Sequence, residues 1–480
     1  MNINVPDFTA FGPILPEMML VCIALLLIVL DLFLPKQRQL LPWITVLGSV
    51  TVLGMVMGEQ PASSFNGMFI NDGYASFFKV ICMFAVIMTA LMSEYHNKKH
   101  SLYQGEFYSL MLLSATGMLI MASAGDLMVL YLGLELMALS VYCMVGMHKK
   151  DTRTSEAAIK YFLMGGFASA ILLYGMSLVY GLTGTTNISQ IASLVASTPL
   201  AENPALMAGL GFMIAAFCFK VAIAPFHFWT PDVYEGAPTV VTAFMSVGPK
   251  AAGFAVFGRV LSSGFPMFQN DWSTLLSVLA MLTMAIGNIT ALNQKSIKRM
   301  LAYSAIAHAG YALLGIMAGT AEGLSATMNY LLFYGFMNMG AFAILILISS
   351  TTSRNESLAD YKGLAKTNPM AAALMLVFMF SLTGIPPTAG FVGKFYLLKA
   401  ALAAGYTNTV IIAVIFSAIS AFFYLRVVRY MYMSDPEEEK NIEYSLGIST
   451  VLGIALLGVI GYGLFPGSII GRAAGALLGQ

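Results

Sequence analysis

The chain has 480 residues, of which 58% are hydrophobic and 10% charged, and its net charge is +1. A soluble protein of this length carries about a quarter charged residues, so an ordinary globular enzyme is excluded, and the near-zero charge gives no reason to expect nucleic acid or an acidic partner. Apolar runs of roughly 18 to 25 residues recur instead, the length that crosses about 30 Å of hydrocarbon; the fold class is an all-α polytopic membrane protein.

In chain order, about fourteen spans are expected, at 13–34, 41–58, 73–93, 106–123, 126–146, 156–183, 205–229, 238–261, 273–292, 299–318, 324–350, 370–400, 408–433 and 444–465. The opening stretch "MNINVPDFTAFGP" has no Lys or Arg ahead of the first apolar run. A cleavable signal normally has a basic start, so this segment reads as a retained first span. Alternate loops hold Lys36 and Arg38; Lys98 and Lys99; Lys149, Lys150 and Arg153; Lys295, Lys298 and Arg299; Arg354, Lys362 and Lys366; and Lys440. The positive-inside rule puts those loops in the cytoplasm and both termini outside, in the periplasm of a bacterial inner membrane. The acidic run "DPEEEK" at 435–440 reads as solvated surface.

Spans 4–8 and 9–13 form blocks of similar length, and each contains one span interrupted by proline. The first break is "IAPF" at Pro225, the second "GIPPTAGF" at Pro386 and Pro387, with Lys220 and Lys394 nearby. Matching broken spans in two halves point to a transporter repeat with its ion path near the midplane. The expected divisions are 1–105 for spans 1–3, 106–261 and 273–433 for the two repeats, and 434–480 for the last span.

Charge inside a span costs about 3 kcal/mol on insertion scales. Glu135, Lys220, Lys250 and Lys394 nevertheless lie well inside spans. Three lysines against one glutamate leave positive charge unmatched, which a structural ion pair would avoid. Burial favours the neutral form of a lysine and a nearby carboxylate favours the charged one, so a lysine under both influences is suited to a proton relay. His227 and His308 are the histidines inside spans, and imidazole exchanges protons near neutral pH; on an apolar helix it also serves simply as a packed donor. Lys79 and Lys160 lie nearer span ends, where snorkelling explains them, and Glu156 four residues before Lys160 makes a plain helical pair. Arg259, Lys399 and Arg426 read as interface anchors. Tyr303 and Ser304 either hydrogen-bond water along such a path or pack.

Cys22, Cys82, Cys143 and Cys218 fall in separate spans with no CxxC pair, so neither a thiolate metal site nor a disulfide framework is expected. No P-loop, dinucleotide fingerprint, haem motif or iron–sulfur cysteine cluster is present in the sequence. Moving one proton against 100 mV needs about 2.3 kcal/mol, so the energy has to come from ion exchange or from a partner.

"KVAIAPFHFWTPDVYEGAPTVVTAFMS" (220–246), "NITALNQKSIKRMLAYSAIAHAGYALLG" (288–315) and "GIPPTAGFVGKFYLLKAAL" (384–402) resemble the subunit N family of bacterial NADH–quinone oxidoreductase, respiratory complex I, whose mitochondrial counterpart is NADH dehydrogenase subunit 2. The resemblance runs from about 106 to 433. It implies an antiporter-like subunit of fourteen helices with two inverted five-helix repeats, helices 7 and 12 broken. It also implies a proton-translocating role in a translocase whose redox chemistry lies on other subunits. Its carried-over relay is Glu135, Lys220, Lys250 and Lys394, joined by His227, His308 and Lys160. No cofactor is expected on this chain; FMN, iron–sulfur clusters and quinone belong to partner subunits. The implied partners are the antiporter-like M-type subunit, the small K-, J- and A-type membrane subunits, the peripheral redox arm through them, and the lipid bilayer. Sister subunits and Mrp-type cation/proton antiporters share the fold, but "PFHFWTPDVYEGAP" departs from their pattern. Lysine at 394 differs from the M-type sister, and residues 466–480 are too few for the lateral helix of the L-type sister. An equivalent subunit of a related complex fed by ferredoxin or a reduced deazaflavin is the alternative.

Overall fold

The computed structural model describes residues 8–100, 104–148, 150–196, 203–349, 357–436 and 442–478. Lys149, Arg354, Lys440, the start of the N-terminal stretch and residues 437–440 of the acidic run lie outside the described residues, as do the side chains of Lys98 and Lys99.

Nineteen α-helices run through the described residues. In order they are α1 Leu15–Phe33, α2 Leu41–Gly58, α3 Gly73–His100, α4 Gly105–Ser123, α5 Leu127–Val145, α6 Thr152–Thr183, α7 Ile188–Val195, α8 Pro204–Val221, α9 Trp229–Gly236 and α10 Thr239–Arg259. They continue as α11 Gln269–Leu292, α12 Ile297–Met317, α13 Ala321–Ile348, α14 Leu364–Thr367, α15 Pro369–Thr383, α16 Ala389–Ala403, α17 Thr407–Met433, α18 Leu446–Leu464 and α19 Gly467–Leu478. Thirteen of the helical segments are long and apolar enough to cross a membrane. The half-helices α15 and α16, either side of the second proline break, make the remaining span between 370 and 400. The sequence anticipates neither the short hairpin β1 (Ala62–Ser64) and β2 (Phe69–Asn71) nor α19, since each is too short to register as a span.

Apolarity on every side of a helix is the signature of a central position. The membrane segments containing α10 and α13 are buried all round, and α12 nearly so, whereas α1, α2 and α17 leave most of their surface outward. Leu32, Leu47, Phe167 and Phe422 on the periphery are exposed, as a lipid-facing surface requires.

Each broken span ends its first half in the same way. After α8, Ala222 takes a left-handed conformation (φ 63°), and the Ile223 amide reaches back 2.8 Å to the Cys218 carbonyl. After α15, Gly384 (φ 92°) does the same, and the Ile385 amide reaches 3.0 Å to the Phe380 carbonyl. Both are Schellman terminations, with a proline three residues beyond the left-handed one. The helix stops before the proline, not at it.

Other features recur at matching places. The cap of α5 bridges the cap of α7 (Asp126 with Asn187), and the cap of α12 bridges Ser357 (Ser296 with Ser357). The amide of Ile188 donates to Gly125 at 3.0 Å, and that of Leu358 to Lys295 at 2.9 Å. Arg259, ending α10, donates to the Ala122 carbonyl at 3.1 Å near the end of α4, and Arg426 on α17 donates to the Leu292 carbonyl at 2.6 Å at the end of α11. In both cases a guanidinium satisfies carbonyls that have no intrahelical partner. These arginines are therefore helix caps; Arg259 is buried and also forms a two-pronged pair with Asp72 at 2.8 Å, which replaces its reading as an interface anchor.

Candidate functional site

Glu135 sits midway along α5, half-buried, and accepts a hydrogen bond from the Ser169 hydroxyl of α6. Lys220 occupies the last turn of α8, where the negative end of the helix favours an ammonium. It is buried, yet its Nζ makes no hydrogen bond within the protein; the nearest aromatic face is Tyr142, 5.9 Å away. Lys220 closes no hydrogen-bonded pair with Glu135. Gly253 on α10 faces this lysine: a Cβ there would stand 3.9 Å from Lys220 Cβ and only 2.7 Å from Val221 Cγ1. The absent side chain lets α8 approach α10 one turn from Lys250.

Lys250 donates to the Ala305 carbonyl at 2.6 Å and lies 5.9 Å from the Tyr334 ring. Ala305 precedes His308 by one turn of α12. His308 Nδ1 meets the Tyr330 hydroxyl of α13 at 2.5 Å, and Nε2 meets the Tyr424 hydroxyl of α17 at 3.1 Å. Tyr424 is shared with Ser304 at 2.5 Å, and the Tyr334 ring lies 5.0 Å from the imidazole. A buried tyrosine hydroxyl needs a partner, and here the partners are the imidazole and a serine. His308 lies one turn from Ala305, the acceptor of Lys250, and one turn from Tyr311, whose ring faces Lys394.

Lys394 lies in the second turn of α16 and turns back across the break. Its Nζ donates to Thr383 O at 2.8 Å, Leu382 O at 3.2 Å and Ser417 Oγ at 3.0 Å, and it sits 4.8 Å from the Tyr311 ring. The first two are last-turn carbonyls of α15, which a cation satisfies both as acceptors and as the negative helix end.

Lys220, Lys250, His308 and Lys394 are buried in the interior, with a lysine beside each break, and Glu135 is half-buried on α5. Two expected members stand apart. His227 is buried with Nδ1 unpartnered, and its ring contact is the exposed Phe228 at 4.6 Å. Lys160 is half-exposed, paired with Glu156 at 2.8 Å and Asp232 at 3.3 Å. Asp232 in turn pairs with Arg299 at 2.9 Å, and Arg299 with Glu235 at 2.7 Å, around a polar recess of about 240 Å³. Tyr330, Tyr334, Tyr424, Tyr311 and Ser417 were missed from the sequence. Their signal there is faint: hydroxyl-bearing residues spaced along apolar spans, which periodicity does not separate from packing.

Lys79 is not at a snorkelling position. It is wholly buried, 2.8 Å from Glu17, 3.3 Å from Asn71 Oδ1 and 3.9 Å from Glu59. These partners come from α1, the hairpin and the end of α2, and so tie the first three spans together. Among the described residues no group of three or more His, Cys, Asp or Glu side chains is placed to hold a metal ion.

The family model described as NADH:quinone oxidoreductase/Mrp antiporter, transmembrane, matches residues 124–458. The chain is 51% identical to NADH-quinone oxidoreductase subunit N of Desulfovibrio desulfuricans over 95% of its length and 94% of that protein. It is 46% identical to subunit N of Trichlorobacter lovleyi over 98% of both. A subunit of respiratory complex I from Thermus thermophilus superposes with a TM-score of 0.81 at 32% identity, covering 96% of this chain and 99% of that one. A chain of the Mrp complex from Dietzia shares the fold, with a TM-score of 0.83 over 98% of this chain and 97% of that one at 21% identity. The chain belongs to the subunit N family of NADH-quinone oxidoreductases, within the wider NADH:quinone oxidoreductase/Mrp antiporter transmembrane family.

Proposed function

We propose that this chain is a proton-translocating membrane subunit of NADH-quinone oxidoreductase, and that Glu135, Lys220, Lys250, His308 and Lys394 are its relay. The observation that carries the reading is the set itself: three buried lysines and a buried imidazole with a half-buried carboxylate, from five helices, with a lysine at each of two broken spans. A purely structural network would pair its charges. Here Lys220 is buried with no hydrogen bond beside a carboxylate held by Ser169.

The mechanism follows from the contacts. A shift of the Glu135 carboxylate towards or away from Lys220 changes the stability of the ammonium. Lys220 then releases its proton towards Lys250, one turn from the α8 contact at Gly253. Lys250 is bound to the Ala305 carbonyl one turn before His308, and Lys394 lies over the Tyr311 ring one turn after it, so His308 stands between the two lysines. His227 and Lys160 are flanking members: the first at the break, the second at the recess with Asp232.

The blocks 106–261 and 273–433 are proposed as two inverted five-helix repeats, with 1–105 and 434–480 outside them. The paired terminations at Ala222 and Gly384, the paired bridges and the paired arginine caps support this division. Five spans per repeat reverse direction between repeats. The basic loops face the cytoplasm of a bacterial inner membrane and the termini face outward. The chain works among the other membrane subunits of the complex, and FMN, iron–sulfur clusters and quinone reside in its partners, which supply the energy.

In the assembled complex, Lys220→Ala or Glu135→Ala lowers quinone reductase activity and proton pumping together. Both measured at wild-type level would remove the relay assignment.

A further inference from the structure

Each broken span has one side chain that reaches back across its break and donates into the last turn of the first half. At the second break the donor is the Lys394 ammonium, bonded to Thr383 O at 2.8 Å and Leu382 O at 3.2 Å, which lie 11 and 12 residues back in the chain. At the first break it is the Trp229 indole, whose Nε1 donates to Phe219 O at 2.9 Å, 10 residues back. That carbonyl also takes the Ala222 amide at 3.2 Å. The return contact is alike in the two halves, but one donor is charged and the other neutral.

Trp229 is the first residue of α9, and the far end of α9 is firmly held. Lys298 donates to Ala237 O at 2.6 Å, Thr154 to Gly236 O at 2.9 Å and Thr242 to Tyr234 O at 2.9 Å. Three helices, α12, α6 and α10, thus supply donors to carbonyls that a helix end leaves unpaired. The indole lies flat on Tyr161, with 4.5 Å between ring centres and 11° between planes, and Tyr161 meets Tyr142 edge-on at 4.6 Å. Tyr142 is in turn the ring that faces Lys220. Trp229 is buried, and a buried indole N–H needs an acceptor; the one it finds belongs to the residue before Lys220.

We propose that Trp229 is a positioning residue for Lys220: its neutral donor clasps the first break, so that the break is held closed without engaging the lysine. The inference rests on the relay reading. At the second break the lysine is itself the clasp; at the first, the indole takes that duty and leaves the Lys220 ammonium free of it. The clasp also sets the field at Lys220. An N–H on the Phe219 carbonyl offsets part of the negative end of α8, which otherwise favours an ammonium more strongly. The titratable groups around Lys220 are Glu135 and Tyr142 of α5, Tyr161 of α6 behind Tyr142, Lys250 of α10 one turn from the Gly253 contact, and His227 beyond the break.

The test uses the assembled complex. Trp229→Phe keeps an aromatic ring against Tyr161 and removes the N–H. Hydrogen exchange of the 218–226 peptide should rise about fivefold, the worth of one net hydrogen bond, with the 380–388 peptide at its wild-type rate. NADH-driven proton pumping, measured against pH, should fall on its alkaline side roughly half a unit higher than in the wild type. The sign follows from the carbonyl: relieved of the indole, it stabilises the ammonium, which keeps its proton to higher pH. Where Trp229→Phe does not assemble, the benzothienyl analogue of tryptophan at 229 replaces it, since that ring has the shape of indole and no N–H. Unchanged exchange at 218–226 overturns the clasp. Faster exchange with a wild-type pH profile, or with a shift to lower pH, overturns the positioning role. Exchange does not depend on proton transfer, so failure of the relay reading shows separately, as wild-type pumping in Lys220→Ala.

Discussion

The two broken spans are alike in backbone and opposite in how they hold their lysine. Each first half ends in a left-handed residue followed by an isoleucine whose amide closes a Schellman turn. Lys220 precedes its break and its ammonium has no hydrogen bond, while Lys394 follows its break and has three. A buried ammonium without donors satisfied costs several kcal/mol, a cost that persists only where a mobile partner is at hand. The contrast assigns different duties. In the proposed relay Lys220 is the station free to respond when Glu135 moves, and Lys394 is the station tied to the end of α15.

The largest effect that can break this contrast comes from Lys220→Met and Lys394→Met compared in the assembled complex. Both should abolish most pumping, since each removes an ionisable station. Only Lys394→Met should loosen its break, because it leaves the Leu382 and Thr383 carbonyls without their donor, at about 1–3 kcal/mol for an unsatisfied buried group. Hydrogen exchange of the 380–388 peptide would then accelerate by roughly tenfold to a hundredfold, with the 218–226 peptide unchanged in Lys220→Met. Equal acceleration at both breaks would erase the distinction.

A smaller change sharpens the same point. Ser417→Ala removes one of three acceptors around Lys394, at about 1 kcal/mol for a net hydrogen bond, and leaves the two carbonyls in place. Exchange at 380–388 should rise by about fivefold while pumping survives. Loss of pumping as complete as in Lys394→Met would make Ser417 itself a station.

How much of this was legible beforehand depends on the kind of information. Insertion cost is local, so hydropathy located thirteen of the expected spans as long apolar helices and singled out Lys220, Lys250, Lys394 and Glu135 as out of place. Two proline breaks with lysines nearby were visible for the same reason. Partners are not local. Lys250 finds its acceptor at Ala305 and His308 finds Tyr424, residues far apart in the chain whose types are ordinary in membrane helices. Lys79 shows the opposite failure. Its place near a span end suggested a snorkelling side chain, and nothing in the local pattern announced Glu17 and Glu59 closing over it. Lys160 matched the family pattern as a relay member; its pair with Glu156 was legible four residues away, whereas Asp232 at the polar recess was not.

The smallest effect lies in the caps themselves, where the two breaks differ by one methyl group. Gly384 adopts φ 92°, and a Cβ there would come within 3.0 Å of Lys394 Cδ, so Gly384→Ala meets both the left-handed penalty of about 1–2 kcal/mol and the lysine stem. Ala222 already bears that penalty at φ 63°, buried at 1% exposure. Ala222→Gly relieves it but gives up a buried methyl, about 0.8 kcal/mol, and adds unfolded-state freedom of about 0.5–1 kcal/mol; the terms nearly cancel. Exchange at the 380–388 peptide should therefore rise about tenfold in Gly384→Ala, while that at 218–226 stays near wild type in Ala222→Gly. A matching loss at the first break would mean that the Ala222 methyl does more than fill space. It would then be a packing contact that holds α8 in place beside Gly253, and the freedom assigned to Lys220 would belong to its side chain alone.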